Sequence, residues 1–530
     1  MPHVIRLLVL ALIVGCQPLF AATTFPGWFS DHQVLQRDQA VPIWGLDEPG
    51  TQVTVTFGEQ TKTATADADG KWLVNLDPMP AQATGAPLTA VGSSTVTLQD
   101  VVVGEVWLCS GQSNMAMSVA SCVRGDKSPA NPVNQAIAAA DLPLIRMVTI
   151  RRSAKPAGPE TNASGTWVPC SSSSVRGFSA VAFFMGRQLH AELGVPIGLI
   201  HSSWGGTPVE AWTPMAALDQ TPAAATYLED WRGKAESWDA EKAAAAYKKQ
   251  LADWEVKAAE AKTAGEKAPR KPRAAQSPIV SPHYPATLYN GMIHPLLPYG
   301  IRGAIWYQGE SNAGRANTYG TLFPLMITSW RERFKQGNFP FGYVQLVAFQ
   351  QPVKQPSDSN WASLREAQDQ ALALPNVGRA VGIDAGEAGD IHPRYKIDIG
   401  DRLAYWALAT VYGQADRVYS GPRYRDMAVK DGTIVLQFHH IGSGLITAAK
   451  DGHAPPVATP EAPLAMFQIA GEDKRWVWAD AAIVGDTVVV SSPDVPAPVA
   501  VRYAWATNPA GANLYNAALL PASPFRTDSW

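Results

Sequence analysis

Ser113 stands where a nucleophile is most useful. It follows an apolar run, Val101 to Leu108, through Ser110-Gly111-Gln112, and precedes a segment expected to be helical from Asn114. A strand that turns sharply into a helix exposes a hydroxyl and points a helix N-terminus at the reacting carbonyl. Ester hydrolysis needs that hydroxyl, a base for its proton, and donors for the developing oxyanion. His392, in Gly389-Asp390-Ile391-His392-Pro393, is the candidate base. Asp390, two residues earlier, can orient the imidazole and stabilise its protonated form. Each residue also has a plainer local reading. Ser is a common helix N-cap, and an Asp beside a His is a common surface pair. A thiol nucleophile at Cys109 is the weaker reading, because a Cys inside an apolar strand is usually a small buried hydrophobe.

Three further segments carry chemistry. Gly205-Gly206 follows Pro196 to Ile200 and the string His201-Ser202-Ser203-Trp204. A Gly there lets a backbone N–H approach a ligand, or simply makes a tight turn. Gln308-Gly309-Glu310-Ser311-Asn312 follows Ile301 to Trp306 and puts amide and carboxylate groups at another strand end. His294, in Asn290-Gly291-Met292-Ile293-His294-Pro295, either lines the same pocket or packs. Four segments thus each follow an expected strand, in the order Ser, Gly, Gly-x-x-Asn, His. Independent surface loops rarely produce that order.

The elements that must position these groups are legible from pattern. Ile301–Trp306, Phe341–Val347 and Val377–Ile383 repeat the style of the buried strands at 101–108 and 196–200. Phe178 to Leu193 has apolar residues at helical spacing. Strands alternating with helices predict a mainly parallel α/β sheet, with sites at the carboxyl ends of its strands. Residues 23–100 read as a β-sandwich region, with a hairpin signal at Asp69-Gly70 before Lys71-Trp72-Leu73-Val74. The hydrolase-like unit spans 101–430. Within it, residues 215–275 are rich in Ala, Lys and Glu, and Tyr227, Trp231, Trp238, Tyr247, Leu251 and Trp254 recur at helical steps. That predicts a helical insertion, either a surface appendage or a wall over the site. Residues 431–530 return to β and either complete the N-terminal β domain or form a second one.

Bulk properties narrow the class. The chain has 530 residues, 46% hydrophobic and 17% charged, which is globular composition for two to four domains. Net charge is −3 and no long basic run occurs, so nucleic acid is not an expected partner. The 18 Trp serve core packing or sugar stacking, and their number leans toward a neutral polysaccharide ligand. Residues 1–22 read as a signal peptide, with the apolar run Leu7–Gly15 too short to span a bilayer. Two processing readings stand: lipidation at Cys16 after Ile13-Val14-Gly15, or cleavage near Ala21 or Ala22. Both predict an exported protein, periplasmic or an outer-membrane lipoprotein, whose only membrane link is an anchor at Cys16. Cys109, Cys122 and Cys170 remain, and a Cys122–Cys170 bridge is one option in an oxidising compartment. No metal motif is present.

The chain resembles the bacterial sialate O-acetylesterase-like family within the SGNH hydrolases. The matching strings are GEVWLCSGQSNM (Gly104–Met115), WGGTPVEAW (Trp204–Trp212), IWYQGESNA (Ile305–Ala313) and DIHP (Asp390–Pro393) with Lys396, Gly400 and Arg402-Leu403-Ala404. Trp28–Arg37 and the terminal strings RYAWATNP and NLYN…PFRTD also match, so the resemblance covers nearly the whole mature chain. It implies a flavodoxin-like α/β three-layer sandwich, carbohydrate acetate esters as substrates, and no cofactor. By matched position, Ser113 is nucleophile and first oxyanion donor, Gly205 the second donor, Asn312 the third, and His392 the base. Gln112, Gln308 and His294 are candidate substrate contacts. The acid is open. Relatives carry Asp three residues before the His, where this chain has Gly389. Asp390 is the nearest substitute, and Glu310 is the rival, because related acetylxylan esterases use the matching Glu.

The expected substrate is therefore an acetylated oligo- or polysaccharide, either a hemicellulose such as acetylxylan or a sialic acid ester. A pocket Arg would favour the second, which carries a carboxylate. A non-catalytic sugar-binding protein and a lipase-like esterase for longer acyl chains are the alternatives.

Overall fold

The computed structural model describes residues 22–530. The signal-peptide and Cys16 readings lie outside the described residues. The organising element is one strand, β1 (Thr95–Gly111), of 17 residues. Its first half pairs antiparallel with Gln82–Val91 in the N-terminal β region. Its second half is the middle of a parallel sheet. The change of style seen in the sequence near residue 101 falls inside this strand.

The parallel sheet contains β2 (Leu142–Thr149), β3 (Ile197–Ser203), β4 (Gly303–Tyr307), β5 (Phe341–Val344) and β6 (Val377–Ala380), in spatial order β2-β3-β1-β4-β5-β6. Successive side chains of a strand point to opposite faces, and both faces of this sheet are covered. Trp107, Cys109, Ile305 and Tyr307 pack with α2 (Ala180–Leu193) and α6 (Lys396–Thr410). Val106, Leu108, Ala304 and Trp306 pack with α5 (Ala316–Phe334). This is the flavodoxin-like three-layer α/β arrangement. The chain turns back across β1 to build the other half of the sheet, so β1 and its neighbours β3 and β4 flank the switch point where such sheets bind ligands.

In the N-terminal region the expected hairpin at Asp69-Gly70 is instead a corner. Gly70 has φ +77, and Asp67 Oδ1 accepts the N–H groups of Asp69 and Lys71. The strand that follows, Lys71–Leu76, pairs with Val41–Leu46, whereas the strand before it, Gln60–Thr65, pairs with Gln52–Phe57. The turn therefore carries the chain from one sheet to another, and only the second strand shows apolar alternation, burying Trp72, Val74 and Leu76 while Gln60–Thr65 buries none of its residues.

The insertion forms α3 (Ala225–Glu236) and α4 (Ala240–Thr263). Asp239 caps α4 by accepting from Lys242 N at 2.9 Å. No residue of α4 is buried; Tyr247, Leu251 and Trp254 are half-buried, Trp254 against Pro269 and Lys271 of the segment that follows, whereas α3 lies against the α/β unit. The C-terminal strands build their own core around Ile434, Phe467, Val488, Val501 and Tyr503, joined by Val381 and Ile383. Among the described residues they pair with no N-terminal strand, so this region is a separate β unit beside the last parallel strand.

Candidate functional site

The turn that presents Ser113 allows one residue type at its pivot. Gly111 has φ +139, and a Cβ there would lie 2.2 Å from the Tyr307 carbonyl oxygen. Gln112 N donates to Tyr307 O at 2.9 Å, and Trp204 N donates to Gly111 O at 3.1 Å. The turn is thus pinned between the ends of β4 and β3. Ser113 then opens α1 (Ser113–Ala116), with its own N–H among the free amides of a helix start.

Gly205 lies directly against it. A Cβ on Gly205 would approach Ser113 Cβ to 3.2 Å, so the bare backbone of the Trp204-Gly205 turn sits beside Ser113. Ser113 and Gly205 line a cavity of about 510 Å³ together with Asp390 and His392. Residues from the ends of β1, β3 and β6 therefore meet in one cleft, although 279 positions of sequence separate Ser113 from His392.

His392 is partly exposed, and its Nδ1 lies 3.7 Å from Asp390 Oδ1, outside hydrogen-bond distance. The same Asp390 oxygen accepts the His392 backbone N–H at 2.8 Å. Asp390 thus shapes the His loop and places negative charge beside the ring. Burial holds the imidazole below its usual pKa; Lys396 and Arg124 push the same way and Asp390 opposes them. The ring is neutral, and so able to accept a proton, near pH 7.

Beneath the cleft lies a buried polar hub that connects three strand ends. Asn114, fully enclosed, donates from Nδ2 to Glu310 Oε1 at 2.5 Å and to the Ile391 carbonyl at 3.0 Å. Its Oδ1 accepts from Lys396 Nζ at 2.7 Å. Lys396 is fully buried, and desolvation lowers its pKa to about 8. Glu310 Oε2 is buried without a partner among the described residues, and burial raises the carboxyl pKa. Glu310, the rival acid, therefore bonds Asn114 and not His392. Of the two carboxylates, Asp390 is the one beside the imidazole.

Other sequence candidates sit elsewhere. Asn312 is fully buried; Nδ2 donates to Glu210 Oε2 at 2.9 Å, and Oδ1 accepts from Val209 N and Gln308 Nε2. It lies beneath the cleft rather than on its lining. Gln112 and Gln308, read as substrate contacts, are buried framework. Gln112 Oε1 accepts from Gly309 N and Ser311 N, and Gln308 ties Thr207 O to Asn312. His294 lies in a different cavity, beside Trp44 and Trp72, with Nδ1 on Glu160 O. Gln112, Gln308 and Asn312, polar groups at strand ends, found protein partners before they found solvent. Cys109, Cys122 and Cys170 are all free and buried, so the suggested bridge is absent. Burial pushes the Cys122 thiol up to about 11 and Cys109 higher still, which removes thiolate nucleophiles from contention.

The cleft also holds groups that sequence reading passed over: Arg124, Arg152, Trp204, Glu387 and Arg394. Arg394 is paired with Glu387 at 3.2 Å. Arg124 and Arg152 have no acidic partner among the described residues. Arg152 lies over the Trp204 ring at 5.8 Å and donates to Ser203 O at 3.3 Å. These arginines come from irregular segments without periodicity, so no pattern marked them. Many of the Trp serve packing, and Trp28, Trp107, Trp167, Trp212, Trp306 and Trp330 are fully enclosed. Trp204 is the one Trp on the cleft lining.

A parallel α/β sheet with Ser113, Gly205 and His392 at its switch point defines a hydrolase of the SGNH class. Comparison with known proteins narrows this. The family described as "Carbohydrate esterase, sialic acid-specific acetylesterase" matches over residues 281–407, a span that includes Glu310, Asn312, His392 and Lys396. The sialate O-acetylesterase of Mus musculus is 29% identical over 94% of this chain and 93% of that protein, and the Homo sapiens protein is 29% identical over 94% and 92%. A crystal structure of a carbohydrate acetylesterase from Xanthomonas citri matches with a TM-score of 0.78 and 35% identity, covering 96% of this chain and all of that one. The chain belongs to the sialate O-acetylesterase-like family of carbohydrate acetylesterases, and is an ester hydrolase.

Proposed function

We propose that this carbohydrate O-acetylesterase acts on acetylated acidic sugars of the sialic acid type. The observation that carries the reading is the pair of arginines without acidic partners, Arg124 and Arg152, in the same cavity as Ser113 and His392. Both side chains are exposed at the mouth of the cleft, where arginines with no acidic partner among the described residues favour an anionic ligand, and arginine suits a carboxylate in particular. A neutral acetylxylan chain would leave both charges unanswered. A long acyl chain would need an apolar channel, and the residues around Ser113 are mostly polar or charged.

In this mechanism His392 takes the hydroxyl proton as Ser113 Oγ attacks the acetyl carbonyl. The N–H groups of Ser113 and Gly205 receive the oxyanion. Asn312, buried beneath the cleft and bonded to Glu210, Val209 N and Gln308, supports the floor of this site rather than lining it. The sugar alkoxide leaves with the proton from His392. Water, deprotonated by the same imidazole, releases acetate and restores Ser113. Asp390 stabilises the imidazolium in both steps.

Acetate release from O-acetylated sialic acid and from acetylated xylan, with wild type and Ser113→Ala side by side, tests the reading. The expected result is turnover of the sialic acid ester, weak turnover of xylan, and loss of about 10⁴-fold or more in the variant. Preference for xylan would overturn the acidic-sugar assignment, and an active Ser113→Ala would overturn the mechanism. The export reading belongs with this proposal and predicts a mature protein beginning near Ala22 or at a lipidated Cys16; N-terminal mass analysis decides.

A further inference from the structure

A second cavity, of about 460 Å³, opens on the far side of the turn that carries Gly205. Gly205 lines the nucleophile cleft and Gly206 lines this one, so consecutive residues divide the two spaces. The helical turn Glu310–Arg315 contributes Ser311 and Arg315 to the second cavity, while its Glu310 belongs to the hub beneath the first and its Asn312 bonds Glu210, which lines the second. The opposite wall comes from α3 of the insertion, which supplies Tyr227, Asp230, Trp231 and Lys234.

This wall is held in place. Tyr227 and Trp231 are one turn apart with ring centroids at 6.2 Å, and Trp231 meets Tyr284 edge-on at 5.8 Å. The Tyr227 hydroxyl donates to His283 O at 2.6 Å, and the Arg315 guanidinium lies 4.9 Å over the Tyr227 ring while bonding Glu210 at 3.3 Å. Asp230 has no cationic partner among the described residues, and the Lys234 ammonium sits over Trp231 at 4.8 Å without an acidic one. Two carboxylates, Glu210 and Asp230, thus face two cations, Arg315 and Lys234, so the space is electrically balanced. The first cleft differs, because its arginines are in excess of their partners. Balanced charges at the rim of an aromatic wall suit hydroxyl groups above and the C–H face of a ring below.

We propose that this cavity is a second subsite, in which the insertion holds a neutral pyranose glycosidically linked to the acetylated sugar at Ser113. The proposal rests on the acetylesterase reading of the Ser113 cleft. It assigns the insertion a role in glycan length selection and none in the chemistry.

The test compares three substrates: 4-nitrophenyl acetate, free O-acetylated sialic acid, and O-acetylated sialyllactose. Wild type is expected to show a kcat/KM about five- to tenfold higher on the trisaccharide than on the free sugar. Asp230→Asn, on an exposed position, and Trp231→Ala are each expected to erase most of that advantage through KM. Both should leave 4-nitrophenyl acetate and the free sugar unchanged. Equal wild-type rates on trisaccharide and free sugar would overturn the subsite, as would variants that slow all three substrates alike. A thermal melt of each variant separates loss of fold from loss of contact, and Asp230→Asn carries the test if Trp231→Ala unfolds. If wild type prefers acetylated xylotriose to both sialosides, the acidic-sugar reading has failed. The subsite is then judged by the same variant ratio on acetylated xylotriose against acetylated xylose.

Discussion

Asn114 donates to the backbone carbonyl of Ile391 over 3.0 Å, so the residue after the candidate nucleophile holds the residue before the candidate base. Asn114 lies in α1 just after β1 and Ile391 in the loop after β6, at distant places in the sheet. Their relative position depends on this contact and on the Glu310 and Lys396 bonds that orient the same amide.

Asn114→Ala should therefore lower kcat by about 10- to 100-fold while KM changes little, because small displacements of reacting groups are costly. It should also destabilise the fold by about 1–3 kcal/mol, since Glu310 and Lys396 lose a buried partner. Steady-state kinetics and urea denaturation check both. An unchanged kcat would remove Asn114 from the positioning role.

Asp390→Asn and Glu310→Gln separate the two candidate acids. The Asp390 variant should lose about 10²-fold in kcat, since it removes the charge beside the imidazolium. The Glu310 variant should lose less than about tenfold, because its carboxylate reaches His392 only through Asn114 and Ile391. The reverse ranking in parallel kinetic runs would make Glu310 the triad acid.

The pH profile carries a sign. Catalysis needs neutral His392, so kcat/KM rises with pH through the imidazole pKa, which lies below its ordinary value of about 6.5. Arg124 helps depress it. Arg124→Gln should move the acidic limb to higher pH, and Asp390→Asn should move it to lower pH. Both shifts are read from kcat/KM on 4-nitrophenyl acetate, which has no carboxylate for Arg124 to bind. Shifts of the same sign would contradict the arrangement of charges around the ring.

Asn312→Ala should be expensive twice. Turnover should fall about 10²- to 10³-fold if the amide supplies an oxyanion donor. Stability should also fall, by about 1–3 kcal/mol, because buried Glu210 and Val209 N each lose a hydrogen bond. A stability loss with kcat intact would restrict Asn312 to the framework.

Much of the architecture is local in origin and could be read directly from the chain. Buried strands at 101–108, 196–200, 301–306, 341–347 and 377–383 announce themselves by continuous apolar runs, because parallel strands covered on both faces have no polar side to show. Gly111, Gly205 and Ser113 are likewise local, since a strand-to-helix turn and a close backbone approach restrict residue type. The Asp69-Gly70 turn was legible as a turn, but its strand partner was not, because pairing is chosen by a distant strand.

What the tertiary structure alone decided was which polar groups face the cleft. Gln112, Gln308 and Asn312 all follow strand ends, yet they are drawn inward to backbone groups and to one another, because an unsatisfied polar group at a buried loop costs more than a contact with solvent returns. Arg124 and Arg152 reach the cleft from segments with no periodicity, and α3 but not α4 became a wall. Sequence states which groups can do chemistry; the packing of remote segments determines which of them meet, since partners hundreds of residues apart leave no local mark of their encounter.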